Sequence, residues 1–280
     1  MRSVKLLMAA GAASLMTSMA FAADMPIAPP PQYYPPPPPA EDFGGWYLRG
    51  DIGMSASRAT LDNRLYNTLP ASTQVSHLGH GFDGGTIYGV GVGYQFNNWF
   101  RADVTGEYRS KVSFKGTDNF TFNPGGFLVD NYNGGYSGWV GLVNVYADLG
   151  TWWCLTPFIG VGAGGARITT AGFSDNGIAN GVVGSYFADG ATKTNFAWAA
   201  HAGVAYKVSP NFTVELAYRY LDMGTVGQGY GRSYDGTNAG PSSFQFRNLT
   251  SHDVKLGVRW NLDTGPAYSP PPQMPLIRKG

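Results

Sequence analysis

Several short stretches of this 280-residue chain carry residues whose types and spacing could do chemistry. Gly160-Val161-Gly162-Ala163-Gly164-Gly165 satisfies G-x-G-x-x-G. That spacing binds a pyrophosphate when a strand leads in, a helix opens on the glycines and an acid follows about 20 residues on. Pro157 to Val161 can form the strand and Asp189 can be the acid. The helix is missing, because residues 166–190 are rich in Gly, Thr, Asn and Asp and have no 3.6-residue apolar period. With 40 glycines in the chain, composition alone produces such a match. No nucleotide site is read here, and the glycines need another explanation.

His77 and His80 stand three apart in a long connection. Two imidazoles on a loop fall short of the three or four ligands of a metal site, so neither a metal nor a cofactor is expected. Ser251-His252 sets a hydroxyl beside an imidazole, but hydrolysis requires a nucleophile, a base and an orienting acid to converge. The pair reads as the polar rim of a strand, no catalytic residue is assigned, and the chain is not expected to be an enzyme. Cys154 is the only cysteine, which excludes an internal disulfide. Beside Trp152 and Trp153, and like Trp99, it reads as part of an interfacial girdle. His201 reads as an interior hydrogen-bonding partner.

The elements that position these residues follow from composition and period. Residues 1–22 have a basic start (Arg2, Lys5), a short apolar core and an Ala20-Phe21-Ala22 cleavage pattern, as a secretory signal peptide does. Residues 23–44 form a proline-rich spacer, and residues 263–280 a second proline-rich tail. A net charge of +1 gives no electrostatic case for nucleic acid. Beyond the signal no apolar run approaches about 18 residues, which excludes transmembrane helices.

Between the tails, over 45–262, the dominant period is two. Eight segments of about 11 residues each set an aliphatic and aromatic face against a polar or glycine face; at 3.3 Å rise and 45° tilt each spans about 26 Å. The apolar band of an outer-membrane barrel is about 25 Å tall. Three connections are tight, at Asn97-Asn98, 150–155 and Ser209-Pro210, and four run long, at 58–83, 110–135, 168–193 and 223–249. The alternation predicts an all-β, eight-stranded antiparallel transmembrane β-barrel with short periplasmic turns and long extracellular loops.

A soluble barrel would reverse the faces, with a polar exterior around an apolar ligand cavity. Here the uncharged face must meet lipid. Arg49, Asp51, Arg101, Asp103, Glu107, Arg109, Glu215, Arg219, Asp253, Lys255 and Arg259 must point into the lumen and neutralise one another. Eight strands leave an interior just wide enough for side chains. Gly89, Gly91, Gly93, Gly160, Gly162 and Gly164 then read as a lumen-facing row that makes room for those charges.

The last strand, with Lys255, Gly257, Trp260 and Leu262, resembles the C-terminal signal read by the outer-membrane barrel-assembly machinery, although residues 263–280 continue past it. With GWYLRGDIG, YGVGVGYQF, FRADVTGEY and TPFIGVGAGG, the chain resembles the small porin-like surface barrels of Gram-negative bacteria. The likeness is to the 25- and 31-kilodalton outer-membrane protein class, relatives of the OmpA-type barrel. The resemblance implies a location in the cell outer membrane, with its lipid and lipopolysaccharide and the assembly machinery as partners. It implies a structural, surface-exposed role in envelope integrity and contact with host or environment; the alternatives are a haemin-binding surface protein, through His77 and His80, or a narrow porin. It also implies that Ala23 and Asp24 at a mature N-terminus can be joined to peptidoglycan.

Overall fold

The computed structural model describes residues 44–63, 72–122, 125–237 and 239–262. The signal segment, the spacer up to residue 43 with Ala23 and Asp24, and the tail from residue 263 lie outside the described residues. The strands are β1 (Gly45–Asn63), β2 (Gln74–Phe82), β3 (Gly85–Gln95), β4 (Phe100–Thr121), β5 (Phe127–Asp148), β6 (Leu155–Thr170) and β7 (Phe173–Ala179). They continue with β8 (Val182–Ala188), β9 (Thr192–Lys207), β10 (Phe212–Asp222), β11 (Val226–Gly227), β12 (Tyr230–Ser233), β13 (Gly240–Pro241) and β14 (Phe244–Asn261).

Eight of them close a ring by antiparallel pairing, in the order β1-β3-β4-β5-β6-β9-β10-β14 and back to β1. Closure leaves the ring without an unpaired edge, which is what lets strands cross lipid. The three tight connections fall where the sequence puts them. Asn97 Oδ1 accepts from the amides of Trp99 and Phe100 to close the β3–β4 turn. Trp153 and Cys154 take the left-handed conformation, φ 49° and 68°, between β5 and β6.

The long connections are not loops in the sense the alternation suggests. β4 and β5 are each 22 residues long, twice the expected segment. At about 3.3 Å rise and 45° tilt such strands reach roughly 50 Å, so their outer halves stand clear of a 25 Å lipid band. β2 pairs with the outer part of β4, β7 with that of β5, and β8 with β7 and β12. The supposed loops are a continuation of the sheet into water.

Polarity inverts between the two zones. Within the lipid zone Ile52, Val90, Val104, Val143, Val161, Leu216 and Leu256 face outward and exposed, while the charges face inward. Beyond it the interior is mainly apolar, with Asp118 and Asp130 as buried acids. Val112, Phe114, Tyr132, Tyr136, Ile168, Phe173, Phe244, Phe246 and Leu249 form one buried cluster there. The rings of Phe82, Phe114 and Phe246 meet at centroid distances of 4.9 to 5.4 Å. The eleven charges read into the lumen from the sequence are thus confined to its periplasmic half, and the apolar layer above them was not read from the sequence.

The switch is made by β-bulges, which shift the side-chain parity of a strand by one. On β4, Arg101 to Arg109 point inward at odd positions; the register slips between Arg109 and Val112, and Val112 to Phe120 point inward at even ones. On β14 the slip lies opposite Arg58/Thr60 of β1, at Asn248, whose φ is 51°, so Phe244 and Phe246 share a face with Leu249 and Ser251. Without the slip, β4 would turn Phe114 to water and Lys115 to the core.

The glycine row explains the G-x-G-x-x-G spelling. A Cβ on Gly160 would overlap the Tyr146 ring, one on Gly162 the Asn144 amide, and one on Gly164 the Gly141 carbonyl oxygen. Across the barrel a Cβ on Gly93 would overlap the Tyr47 ring. Gly89 is looser, since a Cβ there meets Glu107 Cβ at 3.4 Å.

Leu216 pairs with Leu256 and Val204 in the middle of the outward apolar band. Leu216→Arg is expected to destabilise the barrel by about 2–4 kcal/mol, measured by denaturant unfolding in lipid vesicles. An unchanged midpoint would mean that this face does not meet lipid.

Candidate functional site: a charged lumen and an outer histidine–aspartate cluster

The lumen of the lipid zone is built by alternate positions of seven ring strands. β1 supplies Arg49 and Asp51; β4 supplies Arg101, Asp103, Glu107 and Arg109; β10 supplies Glu215 and Arg219; β14 supplies Asp253, Lys255 and Arg259. β5 adds Asn144, Tyr146 and Asp148, β6 adds Phe158, and β9 adds His201. All eleven charged residues read from the sequence lie inside. Asp148, on the polar face of β5 but outside that set, completes it. Six cations then face six carboxylates.

Near the periplasmic end Arg101 Nε donates to Asp148 at 3.2 Å, its Nη1 lies 3.2 Å from Glu215, and its guanidinium stacks over Tyr146 and Phe158. Arg259 also reaches Glu215, at 3.5 Å. In the middle Arg49 donates to Asp103 at 2.7 Å and to Asp51 at 2.8 Å. The Asn144 amide donates to Asp103 and its oxygen faces His201 Nε2 at 3.2 Å. Below the apolar cluster Arg219 forks onto Glu107 at 2.6 and 2.7 Å and also holds Asp253. Arg109 takes the other side of Asp253, and Lys255 sits 3.5 Å from both Glu107 and Asp51. Arginine forks matched to carboxylates satisfy several lone pairs at once, which is what makes buried charge tolerable.

Ser251 and His252 are neighbours on a strand and so face opposite ways. Ser251 is fully buried and accepts from Arg109, whereas His252 lies on the outer face against the Tyr218 hydroxyl at 2.6 Å. They cannot act as nucleophile and base. Cys154 is exposed in its turn, as are the neighbouring Trp152 and Trp153 and the Trp99 of the adjacent turn. Of the strand-eight signature, Lys255 and Gly257 face the lumen, while Trp260 and Leu262 are exposed on the outer face.

A second constellation lies above the lipid zone. In an uninterrupted strand His77 and His80 would face opposite ways, but the β2 register slips between His77 and Gly79. Both imidazoles consequently reach one atom, Asp118 Oδ1 on β4, from His77 Nδ1 at 2.7 Å and His80 Nε2 at 2.8 Å. Asp118 lies 38 residues from His80, and only sheet pairing brings it there. Close by, Asp175 on β7 has a buried oxygen without a hydrogen-bond partner among the described residues. Burial, with the charges of Asp130 and Asp118 beside it, pushes its carboxyl up to about 8. Asp130 on β5 is raised to about 6, mainly by burial.

The family model for the outer membrane protein beta-barrel domain matches residues 8–261. An uncharacterised protein of Brucella suis is 31% identical over 248 residues, covering 77% of this chain and 84% of its own length. The outer membrane protein PagN of Salmonella typhimurium is 30% identical over 196 residues, covering 65% of this chain and 76% of its own. Among solved structures, Neisserial surface protein A is similar at 17% identity and a TM-score of 0.41, over 78% of this chain and 97% of that one.

Arg219→Met leaves Glu107 and Asp253 short of their forked partner, and is expected to destabilise the barrel by about 3–5 kcal/mol in denaturant titration. An unchanged midpoint would mean that water solvates these acids. The outer carboxyls give a pH effect of defined sign. From the unfolded value near 4 up to about 8 for Asp175, the folded chain holds more protons than the unfolded one, so stability falls as pH rises through that window. Hydrogen exchange across β7 should accelerate beyond its intrinsic pH dependence between roughly pH 5 and pH 8, and Asp175→Asn should remove the excess. Equal acceleration in the variant would rule Asp175 out as the cause.

Proposed function

The chain belongs to the outer membrane protein β-barrel domain family, and we propose that within the outer membrane it is a sealed surface barrel that anchors an extended extracellular sheet. The observation that carries this reading is the double closure of the lumen. An interdigitated ion-pair layer fills the periplasmic half and an aromatic layer caps it. The apolar layer interrupts the polar lining of the lumen, which weighs against a narrow porin. What remains for the protein to present is its outer sheet, reaching about 25 Å beyond the lipid band. Envelope integrity and contact with host or environment are the roles that such an anchored surface serves. Relatedness to the outer membrane protein PagN supports the outer-membrane location.

Export through the signal segment 1–22, insertion by the barrel-assembly machinery through the β14 signature, and a lipid and lipopolysaccharide surround complete the proposal. So does a peptidoglycan link through the Ala23 amine with Asp24 beside it.

Opposite ends of the barrel carry convenient reporters. Lys115 is exposed on the outer sheet and Cys154 in a periplasmic turn. A membrane-impermeant maleimide should label Lys115→Cys on intact cells and leave native Cys154 unlabelled until lysis. Labelling of Cys154 on intact cells would invert the orientation and reject the proposal. Purified barrel in planar bilayers should show no stable channel, and conductance of general-porin size would reject the sealed lumen. For the tether, mass spectrometry of detergent-washed sacculi should find Ala23-Asp24 peptides bonded to stem-peptide fragments. Free Ala23 termini alone would dismiss it.

A further inference from the structure

We propose that His77, His80 and Asp118 form an extracellular binding site for a divalent transition-metal ion of the zinc type. The three ligand atoms lie within 4.8 Å of one another. Both imidazole nitrogens already converge on one carboxylate oxygen, at 2.7 and 2.8 Å. In a tetrahedral zinc site with bonds near 2.0–2.1 Å, neighbouring ligand atoms stand about 3.3 Å apart. The carboxylate oxygen therefore needs to stand off from each nitrogen by only roughly half an ångström more to admit the ion, with the two nitrogens settling at the same spacing. Each neutral imidazole shifts its proton to the opposite ring nitrogen as it binds, and the carboxylate coordinates as it stands.

The surroundings hold this geometry in place. The Asp118 side chain is fully buried, that of His80 is 24% exposed and that of His77 59%, so the site has a fixed floor and an open side. Gly116 makes the space for His80, since a Cβ there would stand 2.5 Å from His80 Cδ2. The imidazole also packs against Phe114 and Tyr132. The bulge at Leu78 turns two histidines of odd spacing to one side. Two nitrogens and one oxygen suit zinc or cobalt, whereas calcium and magnesium take oxygen ligands throughout. Three protein ligands leave a fourth position for water or a group from outside. An ion here would also pin the outer strand β2 to β4.

The test uses untagged full-length protein folded in detergent micelles and titrated with Co²⁺, whose visible d–d bands report tetrahedral nitrogen–oxygen ligation. One Co²⁺ per chain is expected, displaced by Zn²⁺ and not by excess Ca²⁺. His77→Ala, His80→Ala and Asp118→Asn should each weaken binding at least tenfold, while His201→Ala and His252→Ala should not. His77 is largely exposed, so His77→Ala should retain the heat-modifiable gel mobility of the folded barrel, and undiminished binding by that variant would overturn the proposal. So would displacement by Ca²⁺, or a failure to take up Co²⁺ together with haemin binding that the same variants abolish.

Discussion

An eight-stranded ring in lipid has no room to hydrate what it encloses, so every charge turned inward must find its partner within the lumen. That constraint governs the rest. The lipid claims the outward positions for apolar side chains, alternation sends the polar positions inward, and the inward charges must then balance. They balance at six cations and six carboxylates, with Arg219, Arg49 and Arg101 each reaching more than one acid. Such packing needs the long side chains to cross the axis. Small residues beside bulky inward neighbours also give space, as Gly93 does for Tyr47, Gly160 for Tyr146 and Gly162 for Asn144 on the adjacent strands.

Above the lipid the constraint reverses. The outer surface faces water, the driving force for burial returns to ordinary apolar packing, and the strands continue without interruption. One strand cannot serve both regimes in a single parity, because a period of two keeps each face uniform along its length. Bulges on β4 and β14 solve this by adding a residue where the regimes meet. The same device on β2 turns His77 and His80 to one side. A defect in the ladder thus joins a membrane barrel to a water-soluble outer sheet, and builds a cluster at their far end.

The lumen that we propose is sealed and the outer sheet belong together in functional terms. A barrel whose interior is a network of forks above turns and below rings is a rigid post. The outer sheet, with Asp175 and Asp130 held above their ordinary range, is the part where protons or cations change the balance.

The sequence by itself determined the architecture: eight alternating segments, three tight turns, the identity of the lipid face and eleven of the twelve lumen charges. These follow from a period of two and from a solvent that admits only apolar side chains outside, both local properties that any window of the chain displays. The lone G-x-G-x-x-G was also legible as packing, because no helix followed it. Tertiary structure decided the rest. The outer halves of β4 and β5 were hidden because polarity inverts there and the bulges break the parity, so residues 110–135 look structureless when read in one register. Asp148 stood on the polar face in plain view, yet only the Arg101 guanidinium beside it makes it part of the network. Asp118 meets His77 and His80 across sheet pairings of 41 and 38 residues, separations that no local spacing encodes.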